Sequence, residues 1–228
     1  MRIISHRGAM GLAPENSLES IKVARGLRVD GIEVDVRLTK DSKLAVFHDA
    51  TLKRLADKTD KISLRTMSEL QKIKLSSGSY IPSLSEVIQA AGDTTLLIEG
   101  KAKGWARPLA NTLRRQAERA RFEVLSFDHD ELLSFHKLCP DVQTYGLATF
   151  NLRSTLKNAR KNGFNGIDVY FVFLPFTYTV ARKKGLKVIA FGINSRWLAG
   201  LISYFFPEVE ITTNAPHKLL KLVKTLSS

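Results

Sequence analysis

Gly31-Ile32-Glu33-Val34-Asp35-Val36-Arg37 is the stretch on which the fold turns. Read with period two, Ile32, Val34 and Val36 share one face of a strand, and Glu33, Asp35 and Arg37 the other. Alone, it would suit an antiparallel edge with its charges in water. Its flanks argue otherwise. His6-Arg7-Gly8 closes the apolar run 2–5, and His48-Asp49 closes the run 44–47. Two strand-end histidines with paired carboxylates between them have the composition of a reaction centre.

Outward from this stretch, apolar runs alternate with amphipathic ones along the whole chain, the pattern of βαβ units. Strands are expected at 2–5, 31–36, 95–99, 122–126, 142–146, 166–169, 187–191 and 208–212. Helices are expected at 17–26, 83–91, 107–120, 131–138, 152–162, 175–184, 195–201 and 217–226. Eight of each predict an α/β fold, a closed (β/α)8 TIM barrel in a single domain over residues 1–228. An open doubly wound sheet would need a Gly-rich phosphate turn after its first strand, and the sequence has none. Residues 44–48, reached through Lys40-Asp41-Ser42-Lys43, read as a hairpin partner of 31–36. Residues 51–81 read as a polar loop or small insertion over the barrel.

In a parallel barrel both faces of a strand are covered. Ile32, Val34 and Val36 would then pack on helices, turning Glu33 and Asp35 into the barrel near its mouth. Leu97, Glu99 and Lys101 repeat the device on the next strand. Adjacent interior carboxylates need counter-charge, protons or a metal.

Composition sets the remaining bounds. The 228 residues, 44% hydrophobic and 25% charged, suffice for a buried core. Cys139 is the only cysteine, which excludes an internal disulfide and a thiolate metal site. No run approaches the roughly twenty apolar residues of a membrane span, and a cytoplasmic protein is expected. The charge of +13, from 35 basic and 22 acidic residues, reads first as a solvated surface and alternatively as an anion-steering field. No nucleic-acid recognition motif accompanies it, so no specific nucleic acid is expected as partner.

Three carboxylates without cysteine favour a hard cation, Mg²⁺ or Ca²⁺. Arg7 and Lys101, with no evident structural partner, suit a phosphoryl group, with an interior Glu99–Lys101 ion pair as the alternative reading. His6 and His48 titrate near neutrality and suit acid–base work. Together these groups describe cleavage of a phosphate ester. Isolated histidines such as His129, His136 and His217 are read as structural, and Ser17 or Asn16 as the cap of the first helix.

The ordered set His6-Arg7-Gly8, Pro14-Glu15-Asn16-Ser17, Glu33-Val34-Asp35-Val36, Thr39-Lys40-Asp41 and His48-Asp49 resembles the signature of the glycerophosphodiester phosphodiesterases. Ile81–Glu86, Ile98-Glu99-Gly100-Lys101, Ser126-Phe127-Asp128 and Thr212–Pro216 resemble later segments of that family. The resemblance implies a (β/α)8 barrel with His6 and His48 as the acid/base pair. It implies Glu33, Asp35 and Glu99 as ligands of a divalent cation, and Arg7 and Lys101 as phosphate-binding residues. The implied substrate is a small glycerophosphodiester, cleaved to sn-glycerol 3-phosphate and an alcohol.

Phe191-Gly192 departs from the Trp-Thr usual in the family, an expected loss of bulk and of a hydroxyl in the substrate cleft. The runs 170–176 and 197–206 are read mostly as helix packing. Part of the first could form an apolar lip, which with the basic surface would suit a lipid-like alcohol or peripheral contact with an anionic membrane. Competing readings are a lysophospholipase D-type or sphingophospholipid phosphodiesterase on the same fold, and a non-catalytic binder of anionic membrane or nucleic acid.

Overall fold

The structure is a computed structural model describing residues 1–116 and 122–226. Its strands are β1 (Ile3–Ser5), β2 (Gly31–Leu38), β3 (Leu44–Val46), β4 (Thr95–Gly100), β5 (Phe122–Ser126), β6 (Gln143–Ala148), β7 (Gly166–Tyr170), β8 (Lys187–Phe191) and β9 (Glu210–Thr213). All but β3 run parallel, in the order β1-β9-β8-β7-β6-β5-β4-β2, and β1 pairs with β2 to close the cylinder. This is a (β/α)8 barrel. β3 is a short antiparallel appendage on β2, with Val36 opposite Val46.

The helices are α1 (Leu18–Gly26), α2 (Lys53–Ala56), α3 (Met67–Gln71), α4 (Leu84–Ala91), α5 (Ala106–Gln116), α6 (His129–Leu138), α7 (Leu152–Asn162), α8 (Leu174–Lys183), α9 (Arg196–Phe205) and α10 (Pro216–Leu226). Residues 117–120 of the expected helix 107–120 lie outside the described residues. α6 starts two residues earlier than expected because Asp128 caps it, accepting from the amides of Asp130 and Glu131. α9 continues beyond the expected end at residue 201 because Ile202 is buried and Phe206 meets Tyr178 edge to face.

Strand alternation sorts the core into two shells. Ile32, Val34 and Val36 join Leu96, Ile98, Val124, Ile167 and Val188 beneath the helices. Ile4, Leu97, Leu125, Tyr145, Leu147 and Ile189 fill the barrel. At its lower end Arg2 Nη1 bridges Glu123 and Glu210 at 2.9 and 2.7 Å.

Of the two forms expected for 51–81, loop or small insertion, the segment takes the folded one. It holds α2, α3 and a 3₁₀ turn (Ile62–Leu64). Leu52, Ile62, Met67, Leu70, Leu75 and Ile81 pack there with Ala45 and Phe47 into a core of their own. Thr66 and Glu69 close a capping box on α3. These apolar residues are spaced singly among polar ones, which hid them from a reading based on runs. No helix among the described residues is long and apolar enough to cross a membrane.

Candidate active site

The turn after β1 is the first wall of the site. Arg7 and Gly8 both take positive φ, 50° and 76°. A Cβ on Gly8 would lie 2.1 Å from Ser20 Oγ of α1, so the turn needs glycine for space as well as conformation. The fold at this turn brings Arg7 N to Glu33 Oε2 at 2.9 Å and Gly8 N to Glu33 O at 3.0 Å.

His6 is oriented from behind. Its Nδ1 donates to Asn214 Oδ1 at 2.6 Å, which leaves Nε2 unprotonated and 3.7 Å from Glu33 Oε2. Asn214 is itself held by its amide donating to Asn194 Oδ1 at 2.8 Å. Burial, reinforced by the Arg7 charge, pushes the His6 pKa down, so the ring is neutral at neutral pH.

His48 stands after β3 and is backed by a carboxylate. Its Nδ1 lies 2.7 Å from Asp49 Oδ1, and Arg37 Nε donates to the His48 carbonyl at 2.7 Å. Burial lowers its pKa too, against the opposing pull of Asp35 and Asp49. The two histidines therefore differ in kind: one is backed by an amide, the other by an anion.

Between them lie the carboxylates. Asp35 and Glu99 are register partners across β2 and β4, with Glu33 one side-chain step below. One oxygen from each of the three comes within 4.8 Å of the others, and all three side chains are buried. Burial, with Asp35 and Glu99 nearby, raises the Glu33 pKa well above the usual range. Burial pushes Glu99 up to about 7 despite Lys101. Burial acts the same way on Asp35, but Lys101 and Arg7 outweigh it and hold its pKa low.

Arg7 has structural partners that were not evident, and Lys101 forms the interior pair with Glu99 that was the alternative reading. Arg7 Nη1 donates to Glu15 Oε1 at 3.0 Å, and Nε lies 3.2 Å from Asp35 Oδ2. Lys101 Nζ lies 3.0 Å from Asp35 and 2.5 Å from Glu99. The pairing has a physical cause: two half-buried cations cannot wait unpaired beside three buried acids. Of the two candidate caps, one serves and the other binds a carboxylate. Ser17 is the cap of α1, accepting from Ser20 N, while Asn16 donates to Asp35 Oδ2 at 2.8 Å and accepts from Asp35 N.

The expected site residues thus converge, and further ones join them. Glu15 accepts two bonds from Arg54, at 2.7 and 2.8 Å, and Arg54 also donates to Asp49 at 2.6 Å. A charged chain therefore runs His48–Asp49–Arg54–Glu15–Arg7–Asp35. Arg54 gave no sequence signal, because it lies on the short α2 with no motif around it. Asp168 on β7 is buried inside the barrel, its Oδ1 without a hydrogen-bond partner and its pKa driven up by burial and by Glu99. The alternation Gly166-Ile167-Asp168-Val169 carried the same signal as Glu33 and Asp35. His129 and His136 are structural as expected, meeting Leu147 O and Thr144 Oγ1.

Phe191 caps the apolar interior and packs on Tyr170 at 5.6 Å. Gly192 has φ 90°, and a Cβ there would lie 2.4 Å from the Tyr170 ring. The bulk expected to be missing at Phe191-Gly192 is supplied by Tyr170. Over 197–206 the expectation of packing fails for Trp197, Tyr204 and Phe205, which are exposed because α9 turns only Ala199 and Ile202 fully inward.

The donor set fits a hard divalent cation. Glu33 Oε1 is buried without a donor, and Asp35 Oδ1 and Glu99 Oε1 are met only by Lys101 Nζ. All are oxygens, as Mg²⁺ and Ca²⁺ require.

Comparison with known proteins bears on the family and the fold. A relative from Caldanaerobacter subterraneus, named glycerophosphodiester phosphodiesterase, is 28% identical over 209 residues, covering 85% of this chain and 86% of its own. A Thermotoga maritima glycerophosphodiester phosphodiesterase structure superposes with a TM-score of 0.82 at 27% identity, covering 96% and 97% of the two chains. An Oleispira antarctica phosphodiesterase, solved with its product sn-glycerol-3-phosphate, has the same fold, with a TM-score of 0.87 at 23% identity over 98% and 97% of the chains. The model of the glycerophosphoryl diester phosphodiesterase family matches residues 6–221, nearly the whole barrel, and this chain belongs to that family.

Proposed function

We propose that the protein hydrolyses glycerophosphodiesters to sn-glycerol 3-phosphate and an alcohol, with a divalent cation held by Glu33, Asp35 and Glu99. The observation that carries this reading is the buried triad of carboxylates, compensated within the triad only by Lys101 beside Asp35 and Glu99, with two differently backed histidines next to it. When bound, such a cation polarises phosphoryl oxygens and neutralises the acids around it.

The chain's own residues supply the rest. His6, neutral and with Nε2 free, takes the proton of the oxygen nucleophile that attacks phosphorus. His48, whose imidazolium Asp35 and Asp49 favour against burial, would enter protonated and deliver that proton to the departing alkoxide as its bond to phosphorus breaks. Arg7 and Lys101 face the same carboxylates and share their positive charge with the phosphoryl oxygens. The Oleispira product complex supports glycerol 3-phosphate as the retained half of the substrate.

The test is glycerol 3-phosphate release from glycerophosphocholine and glycerophosphoethanolamine, metal-stripped and with Mg²⁺ or Ca²⁺ restored. Turnover should return with metal and vanish in His6→Ala and Glu33→Ala. Turnover indifferent to chelation or to either substitution overturns the proposal. A second reading keeps the chemistry and takes a lysophospholipid or sphingophospholipid. Its support is the exposed Tyr170 and Val172 beside Phe191 at the strand ends. A chain-length series of lysophospholipids, with kcat/KM rising along it, would favour that reading.

A further inference from the structure

We infer that the sector built by α7, α8 and α9 docks on an anionic phospholipid bilayer. The observations lie outside the catalytic cleft. Between residues 151 and 206 the chain carries nine lysines and arginines and a single carboxylate, Asp168, which is buried inside the barrel. The outer surface of these helices is therefore positive without compensation from its own elements. Arg153, Lys157, Arg160, Lys161 and Lys184 converge on an open groove of about 510 Å³ between α7 and α8, floored by Leu156 and edged by Val180. Among the described residues none of these five cations has a carboxylate partner.

Beside the groove lies a stripe of exposed rings. On α8, Phe176 and Val180 stand one turn apart and face away from the buried Leu174, Thr177 and Ala181. On α9, Trp197, Leu201, Tyr204 and Phe205 follow the same spacing, opposite the buried Ala199 and Ile202. Trp197 is 75% exposed and Tyr204 80%. Tyr178 of α8 meets Phe206, at the end of α9, edge to face, so the two helices that carry these rings are in contact. Above them Phe150, on the turn after β6, is 85% exposed and held by an edge contact with Phe173.

Charge complementarity selects the occupant. Aromatic rings flanked by unpaired cations match the boundary of a bilayer, where Trp and Tyr settle at headgroup depth and Lys and Arg meet lipid phosphates. A second copy of this chain would set like-charged flanks against each other. A small anion would engage the groove and leave the stripe without a role. Because α7, α8 and α9 each begin at the C-terminal end of a barrel strand, Phe150, Phe176 and Trp197 lie on the side of the patch nearest the barrel mouth. A protein bound this way would hold its active-site face close to lipid.

Tryptophan gives a direct readout. The chain has two, and Trp105 is fully buried, so a change in emission on adding vesicles reports Trp197. The full chain is mixed with vesicles of phosphatidylcholine, with and without phosphatidylserine, at low and high salt, and co-sedimentation and emission are recorded. Binding to phosphatidylserine vesicles with a blue-shifted emission, weakened by salt and absent on phosphatidylcholine alone, is expected. The triple variant Arg153→Ala/Lys157→Ala/Arg160→Ala should lose on the order of a hundredfold in partitioning, at roughly fivefold per cation. These residues are exposed, so its thermal melt and its turnover of soluble substrate serve as controls for folding. The proposal is overturned if serine-containing vesicles are not bound at low salt, if the triple variant binds as wild type, or if Trp197 emission stays fixed. It is equally overturned by a dimer that Trp197→Ala/Tyr204→Ala dissociates, or by duplex DNA binding more tightly than the vesicles.

Discussion

Asp35 and Glu99 face each other across β2 and β4, and Lys101 Nζ stands 3.0 Å from one and 2.5 Å from the other. Glu33, the third acid, lies beyond direct reach of that ammonium, and its buried Oε1 has no donor. Charge compensation is thus uneven across the triad, and Glu33 is where it is missing. A divalent ion should raise Tm as it is titrated into stripped protein. Glu33→Gln should abolish that rise while melting near or above the metal-free wild type, because it removes a carboxylate held out of its comfortable charge state. Calorimetry with and without chelator measures both.

His6 and Asn214 form a pair whose members do different work. His6→Ala should cut kcat by about 10²–10⁴-fold with little change in KM. Asn214→Asp puts a carboxylate beside Nδ1, which stabilises the imidazolium and raises the His6 pKa. Its acid limb in the kcat/KM profile should move to higher pH, whereas Asn214→Ala should lower kcat without that displacement. A pH–rate series on the three variants separates positioning from catalysis.

Glu15, between Arg54 and Arg7, has its pKa depressed by those two cations despite burial. A carboxylate depressed in the folded state contributes stability above its unfolded pKa of 4.5 and loses it as pH falls through the folded value. Glu15→Gln should therefore cost about 2 kcal/mol at pH 7, a Tm drop of about 5 °C. The two melting curves should converge in acid, below the window where wild-type Glu15 takes up its proton. Melts recorded from neutrality down into acid test the sign.

Gly192 and Tyr170 compete for one volume. Gly192→Thr, which installs the side chain that the family resemblance leads one to expect there, meets the Tyr170 ring and a positive φ. It should destabilise by about 1–3 kcal/mol. Gly192→Thr/Tyr170→Ala should recover part of that loss, and the double-mutant cycle should show coupling. Equal and additive costs would mean that the ring does not fill that space.

Much of the barrel and its centre was legible in the chain. Period-two alternation through Ile32–Val36, with charges on the second face, has one economical solution once helices follow most strands, and that solution turns Glu33 and Asp35 inward. His6 and His48 were visible because each ends an apolar run. The partners of these residues were harder to see. Arg54, Asn214 and Asn194 act through contacts between segments far apart in sequence, and no local pattern marks an arginine that will span from α2 to Glu15. Of the two candidate caps, Ser17 and Asn16, residue type alone could not choose, and Ser17 is the one α1 uses. Only the packed turn shows the Asn16 amide on Asp35. Trp197, Tyr204 and Phe205 were misread because apolar side chains on a helix are ordinarily core, and periodicity cannot say which of two faces meets the barrel.

The segment 51–81 has its own apolar cluster and reaches the cleft through Arg54. Its foldedness and that of the barrel are therefore separable quantities. Opening of this unit alone would free Asp49 from Arg54 and leave His48 with an untethered companion while every barrel strand stayed paired. On heating, inactivation should precede the main melting transition, and amide exchange over 52–75 should be faster than over β4 or β8. The thermal ceiling of such an enzyme would be set by its annex, and stabilising the barrel further would not raise it.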